Sequence, residues 1–237
     1  MDPLVGKVFD GRSRLTALIG EGRSSTVYVA DELAANRPVA LRLLHFQTPV
    51  ESYLTLRHEN VIPAYAGGQT AEGLVFLASE LVRAPRLHQI LATAGALPWQ
   101  RSLEILVQVC NAIEAANAHG IHGRLTPEKI FIEPFDVVRV ALSPRLPSGD
   151  QPARTHDVRT QVLELGELAY EMLTGELPEQ NGIHPSPPSR LRPLPAQLNA
   201  VVVGCLHIID ELRHADISVV RDALLAVRAS IKPAAAT

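Results

Sequence analysis

The first third of the chain alternates apolar and polar positions with the two-residue period of β-strands. The pattern predicts one short helix, at residues 50–57, among five short strands. The predicted strands span residues 14–20, 26–30, 38–44, 61–66 and 74–79. Asn36 and Gly67 lie between predicted strands, and both residue types are common in tight turns. This part of the chain is therefore predicted to form a small antiparallel β-rich lobe.

Further along, the apolar spacing changes to the period of an α-helix. In residues 99–119, apolar side chains at 103, 106, 107, 110 and 113 form a stripe along one helix face. Pro98 precedes this stretch and Gly120 follows it, as is typical of helix ends. The other predicted elements are helices at 87–94, 158–173, 196–209 and 217–231 and short strands at 130–132 and 137–141. We predict two lobes in one domain, at residues 1–83 and 84–237.

Composition narrows the classes of partner. The chain has 237 residues, 46% of them hydrophobic, and a formal net charge of −3, which argues against nucleic acid as a partner. No apolar run reaches the roughly 18 residues that span a bilayer, so direct membrane insertion is not expected. The start, MDPLVGKVFDGR, lacks the apolar segment of a signal peptide. We predict a cytoplasmic location, with the cytosolic domain of a longer membrane-attached protein as the alternative. Only three of the 22 basic residues are lysine, which hints at a GC-rich bacterial genome.

The segment HGRLTPEKIFI, at residues 122–132, resembles the catalytic loop of eukaryotic-type Ser/Thr protein kinases, with the pattern H-R-D-L-K-P-x-N. Four other fragments follow the family's order: IGEG (19–22), VALRLL (39–44), RHENVI (57–62) and LGELAYEMLTGELP (165–178). The resemblance covers nearly the whole chain. It implies an α+β, bilobal protein-kinase-like fold with a small antiparallel β N-lobe and a mainly helical C-lobe. Spacing further predicts a shortened helix C, a shortened activation segment and a missing helix G.

At five positions where the family has catalytic or ligand-binding residues, this chain has a different residue type. The resemblance places Arg42 at the strand lysine, Arg124 at the catalytic aspartate and Thr126 at the catalytic-loop lysine. Lys129 takes the place of the metal-holding asparagine, and Leu142 takes that of the D-F-G aspartate. A guanidinium cannot accept a proton and leucine cannot bind a hard cation. We therefore predict a pseudokinase that is not an enzyme, has no metal site and takes no cofactor, with weak or absent binding of ATP and Mg²⁺.

Three of these substituted residues are cations, and for each of them the sequence leaves two interpretations open. Arg42 either contacts a ligand or pairs with an acid at the edge of the cleft, and Glu51 is the only nearby carboxylate. Lys129 either partly mimics a metal ion or extends to solvent. Arg124 either binds an acid or phosphate within the protein or is exposed.

A nucleotide, if bound, would be contacted at positions that the resemblance identifies. These are Gly20, Gly22, Val27, Ala40, Glu80 and Val82. Gly20 and Gly22 match the first two glycines of the Gly-rich loop, and Ser25 replaces the third. Such a half-motif fits a phosphate cover and an ordinary turn between strands equally well.

The predicted function is that of a protein-interaction or regulatory scaffold module in bacterial signalling. Its partner would be another protein, such as a Ser/Thr kinase or a phosphopeptide-binding protein, with Ser148 and Thr155 as phosphorylation sites. The alternative is a kinase-fold enzyme with non-canonical, metal-independent nucleotide chemistry. In that case, positive side chains would crowd its cleft: Arg23, Arg42, Arg124 and Lys129.

Overall fold

The computed structural model describes residues 2–144, 158–179 and 186–231. The predicted phosphorylation sites Ser148 and Thr155, and the predicted activation segment around them, lie outside these residues. Within the described ranges, none of the helices combines the length and apolarity that crossing a bilayer requires.

Six antiparallel strands form the N-terminal sheet. They are β1 (Val8–Phe9), β2 (Ser13–Glu21), β3 (Ser25–Glu32), β4 (Arg37–Leu44), β5 (Ala64–Gln69) and β6 (Val75–Glu80). Their order across the sheet is β1-β2-β3-β4-β6-β5. One face buries Leu15, Tyr28 and Leu41, whereas the other buries Leu44, Val75 and Leu77. This alternation of side chains between two small cores is what the two-residue period requires.

Five helices and a hairpin make up the rest of the described chain. They are α2 (Leu87–Ala94), α3 (Trp99–Ala118), β7 (Ile130–Glu133), β8 (Val137–Val140), α4 (Val158–Thr174), α5 (Ala196–Cys205) and α6 (Ile217–Ile231). Helix α3 is central and packs against α4, α6 and β8. The predicted stripe on α3 is buried, as are both free thiols, Cys110 and Cys205. A sheet lobe followed by a helical lobe confirms the predicted α+β bilobal architecture.

The region of helix C is short, as predicted. Helix α1 (Glu51–Thr55) has only five residues and follows Pro49, whose ring restricts the backbone ahead of it. No helix is present between Thr174 and Pro188 in the described residues. The prediction of a boundary at residue 83 stays a prediction.

Two boundaries differ from the pattern. The strand predicted at 61–66 begins at Ala64, because Val61 forms a parallel bridge with Val140 of the other lobe. Helix α5 ends at Cys205 rather than at residue 209, and Ile208 and Ile209 after it are about half exposed. In both cases the apolar pattern of the sequence extends beyond the residues that form the strand or helix.

Close packing between α4 and α5 yields a test of the C-lobe. A Cβ added at Gly166 would lie 2.7 Å from the Cβ of Cys205 and 3.1 Å from Leu206 Cδ2. We expect Gly166→Ala to lower the free energy of unfolding by about 1–3 kcal/mol, since overpacking outweighs the better helix propensity of alanine.

Denaturant unfolding measures this change, and Gly20→Ala is the matched control. A Cβ at Gly20 would meet only Val27, at 3.9 Å, so this variant should unfold like the unmodified protein. Equal stability of the two variants would contradict the packing argument.

Candidate functional site

A cavity of about 260 Å³ lies between the N-terminal sheet and the β7–β8 hairpin. All six residues predicted to contact a nucleotide line it: Gly20, Gly22, Val27, Ala40, Glu80 and Val82. Two cations that stand in place of family residues, Arg42 and Lys129, line the same cavity. The fold thus brings together residues from four strands and the loop before β7, although nucleotide binding by them stays a prediction.

The roof of the cavity is the tight hairpin between β2 and β3. Gly20 pairs with Val27 across it, and the amide of Gly22 donates a hydrogen bond of 3.0 Å to the carbonyl of Ser25. A Cβ at either glycine would make only ordinary contacts, at 3.9 Å and 3.8 Å. The fold itself therefore does not require glycine at these two positions. A ligand close to the backbone would give a reason for both.

Arg42 lies beneath this hairpin and is partly buried. Its Nη1 donates a hydrogen bond of 3.1 Å to the hydroxyl of Ser25. No salt bridge joins Arg42 to a carboxylate in the part of the chain described, and Glu51 is exposed. Burial lowers the pKa of the guanidinium. The predicted acid partner is thus not found in the described ranges, and a partly buried guanidinium lines the cavity.

Tyr53 of α1 lies near Arg42 on the side where a helix C carboxylate was expected. It lines a small pocket with Arg42 and Leu142, and burial raises its pKa to about 12 although Arg42 acts to lower it. Sequence reasoning missed Tyr53, because it looked only for a carboxylate.

Lys129 is the second cation in the cavity. Its Nζ donates a hydrogen bond of 2.8 Å to the carbonyl oxygen of Arg124. Burial, followed by the charge of Arg42, lowers its pKa from 10.5 to about 8. The amine thus contacts a backbone carbonyl while the side chain stays partly exposed, and the choice between the two interpretations of Lys129 stays a prediction.

Arg124 and Glu164 form a contact beside the loop at residues 122–132, which resembles the kinase catalytic loop. The Arg124 Nε lies 3.8 Å from Glu164 Oε1, and Glu164 Oε2 accepts a hydrogen bond of 2.9 Å from the amide of Leu125. The side chain of Arg124 is 69% exposed, whereas that of Glu164 is 11% exposed. Both interpretations of Arg124 therefore hold in part. Glu164 was missed, and its only signal was an acid on the inner half of α4.

The side chains of Thr126 and Leu142 differ in their surroundings. Burial raises the pKa of Glu128, but hydrogen bonding by Thr126 and by the backbone outweighs it and lowers the pKa. Leu142 packs against the core of the helical lobe and has no oxygen to offer Mg²⁺. The carboxylates lining the cavity are Glu21, Glu80 and Glu128, and no cluster of three or more His, Cys, Asp or Glu fit to hold a metal occurs in the described residues.

Another part of the cavity wall is apolar. Val27 and Ala40 come from the sheet, and Phe131 of β7 lies on the other side, with the guanidinium of Arg86 5.4 Å from its ring centre. Glu80 forms a 2.7 Å salt bridge with Arg139 of β8, which joins the two lobes beside this wall. Phe131 is a further residue that sequence reasoning missed, since its strand read as plain core.

Comparison with known proteins finds similarity to bacterial protein kinases. The chain is 29% identical to the Ser/Thr protein kinase Pkn3 of Myxococcus xanthus over 249 residues, which cover 81% of this chain and 45% of that protein. It is 26% identical to PknB of Mycobacterium leprae over 278 residues, covering 94% of this chain and 44% of the relative. The chain is thus similar to bacterial Ser/Thr protein kinases over most of its length. No protein-family model matches it.

A solved kinase structure supports the same fold. The crystal structure of the Mycobacterium tuberculosis PknI kinase domain superposes with a TM-score of 0.76 at 19% identity, covering 95% of this chain and 99% of that domain. The chain spans less than half the length of the two curated kinases above.

Two predictions are wrong in the light of these relatives. The prediction that the chain is not an enzyme is contradicted, since its relatives are named Ser/Thr protein kinases. The prediction that it takes no cofactor is contradicted on the same ground, because such kinases use ATP and Mg²⁺. Both predictions rested on the residue types at single positions, whereas the cleft also has side chains from other elements, such as Glu164 and Tyr53.

The lowered pKa of Lys129 has a consequence for the stability of the fold. The folded state releases the proton near pH 8 and the unfolded state near pH 10.5, so the charged amine destabilises the fold fully below about pH 8. We expect Lys129→Met to raise the free energy of unfolding near pH 7 by about 1–2 kcal/mol, after the lost hydrogen bond offsets part of the gain. The advantage should disappear above about pH 10.

Denaturant unfolding across this pH range measures the effect, with Lys129→Arg as the charge-preserving control. The arginine variant should show no gain near pH 7, because its charge stays buried. A methionine variant that is less stable than the unmodified protein near pH 7 would contradict the assignment.

Proposed function

We propose that this chain is a kinase-fold regulatory domain of bacterial signalling that binds a nucleoside phosphate in the interlobe cavity and acts on another protein. The observation that carries the proposal is the two-part wall of that cavity. Val27, Ala40 and Phe131 offer an apolar surface for a flat base, while Arg42 and Lys129 offer positive charge for phosphates. A nucleotide has this division between an apolar ring and an anionic tail.

Two glycines that the fold does not require are a second argument for a bound nucleotide. Gly20 and Gly22 lie in the hairpin over the cavity, and the fold has room for a Cβ at both. Bare backbone amides near a phosphate bind it without steric hindrance. A plain turn between strands would accept larger residues at these sites.

The protein partner is inferred from the relatives. Their names describe protein kinases, so a protein target or a protein regulator is the expected partner class. A Ser/Thr kinase or a phosphopeptide-binding protein remains our candidate partner. Phosphorylation of Ser148 or Thr155 would supply the negative charge that such a partner recognises.

Nucleotide binding can be tested by filling the apolar part of the cavity at Ala40 of β4. Ala40→Leu places a larger side chain where the base is proposed to stack. We expect the unmodified protein to bind ADP and ATP in calorimetry, and Ala40→Leu to weaken both by about tenfold or more.

Ala17→Leu is the matched control, because Ala17 lies on β2 of the same sheet but is exposed. It should bind as the unmodified protein does. Equal affinity of the Ala40 and Ala17 variants for ADP would remove the proposed site, as would no binding by the unmodified protein.

A second function, phosphoryl transfer to a protein hydroxyl, is favoured by the names of the relatives. Incubation with radiolabelled ATP, Mg²⁺ and a general protein substrate tests it. Label that is lost in Ala40→Leu and kept in Ala17→Leu would establish transfer at this cavity. Label at the same level in both variants would rule out transfer there.

A further inference from the structure

Phe135 lies at the tip of the connection between β7 and β8, and its side chain is fully exposed. Phe135 and Asp136 both have a positive φ, at 62° and 57°. This left-handed backbone disfavours large side chains, so glycine and asparagine are the usual residues at such positions. The stability of the single chain therefore gives no reason for an aromatic residue here, and strain of this kind points to a role outside the fold.

Helix α3 holds the backbone of this connection in place. The guanidinium of Arg101 donates hydrogen bonds to both carboxylate oxygens of Asp136, at 2.8 Å and 3.1 Å. Gln108 Nε2 donates to the carbonyl of Asp136 at 2.9 Å, and Gln108 Oε1 accepts from the amide of Val138 at 2.9 Å. An aromatic side chain on a fixed backbone loses little freedom on binding and is a frequent anchor of protein interfaces.

An apolar groove of about 710 Å³ lies between the start of α3 and the end of α6. Leu103 in this groove is buried, whereas Trp99 and Leu225 are partly exposed. The volume is in the range of pockets that enclose aromatic groups. The groove therefore has room for a phenylalanine side chain together with its neighbours in the chain.

Phe135 and the groove are neighbours on one surface of the molecule. Gln100 and Glu104 are exposed on α3 and line the groove, whereas Arg101 holds the connection that carries Phe135. The helical period places the groove and the connection on either side of this exposed stripe of α3. A surface with both a projecting side chain and a groove is self-complementary under twofold symmetry, because each copy receives the side chain of the other.

The charges beside the two features also complement each other. Arg228 on the rim of the groove is 48% exposed and has only an exposed contact, at 3.3 Å, with Glu104. The connection carries Glu133 and Asp136 next to Phe135. In a twofold pair, the arginine of one copy therefore meets an acidic segment of the other, and identical surfaces with both signs of charge do not repel.

We infer that this surface forms a weak symmetric dimer, in which Phe135 of each copy inserts between Trp99 and Leu225 of the other. The association goes beyond the proposed function and does not depend on nucleotide binding. One phenylalanine buries about 150–250 Å², so two reciprocal insertions make an interface at the small end of the range for specific complexes. We expect a dissociation constant on the order of tens of micromolar.

Sedimentation velocity of the full chain, from about 1 μM to about 300 μM, tests the dimer. The unmodified protein should pass from monomer to dimer over this range. Phe135→Asn should weaken association by about tenfold or more, because the anchor is lost. At low concentration this variant should unfold with equal or greater stability, since asparagine tolerates the left-handed backbone.

Leu33→Asn is the matched control, because Leu33 is an exposed apolar residue of the sheet lobe outside this surface. It should associate as the unmodified protein does. Equal association of the Phe135 and Leu33 variants would overturn the inference.

A second variant tests the groove itself. Ala229 is exposed and lines the groove, so Ala229→Trp should fill it and weaken association by about tenfold or more. A mixture of Ala229→Trp with Phe135→Asn should associate more strongly than either variant alone, because one supplies the phenylalanine and the other the open groove. No gain in the mixture would overturn the pairing of Phe135 with the groove.

Three further results would contradict the inference. One is an unmodified protein that stays monomeric at every concentration. Another is a lower stability of monomeric Phe135→Asn, which would give Phe135 a role within the single chain. The third is a dimer that appears only after residues 232–237, which follow α6, are removed, because that segment would then be the occupant of the groove.

Discussion

The hydrogen bonds at Val140 hold the two lobes in register, and the cleft depends on them. The amide of Val140 donates to the carbonyl of Asn60 at 2.8 Å, and its carbonyl accepts from the amide of Ile62 at 3.0 Å. One residue later, Ala141 donates to the carbonyl of Lys129 at 2.8 Å. The end of β8 therefore fixes both the segment at residues 60–62, which precedes β5, and the loop that carries Lys129. Because backbone groups in a buried junction must be paired, this register is strongly specified.

The cleft between the lobes carries positive charge from both sides. Arg42 and Lys129 line the cavity, and Leu142 lines a separate small pocket with Arg42 and Tyr53. Phosphoryl chemistry depends mainly on neutralising and positioning phosphate charge. Cations on the protein itself meet the first of these needs, at the cost of holding like charges together in the unliganded fold.

The loop at residues 122–132 and Arg42 are contacted by residues that lie far from them along the chain. Glu164 of α4 accepts a hydrogen bond from the amide of Leu125, and Tyr53 of the short helix α1 lines a small pocket beside Arg42. One of these contacts comes from the helical lobe and the other from the sheet lobe.

The sequence by itself determined the lobes, their order and most elements, because these follow from apolar periods and turn residues that act locally. The motifs also pointed to the six residues that line the cavity, since strand pairing fixes their positions along β2, β3 and β4 and at the end of β6. Only the tertiary structure decided that Val61 joins β8 instead of β5, that Glu164 reaches Leu125, and that Arg42 finds a hydroxyl rather than an acid. These contacts link residues distant along the chain, and a linear pattern carries no information on which of many distant partners burial will bring together.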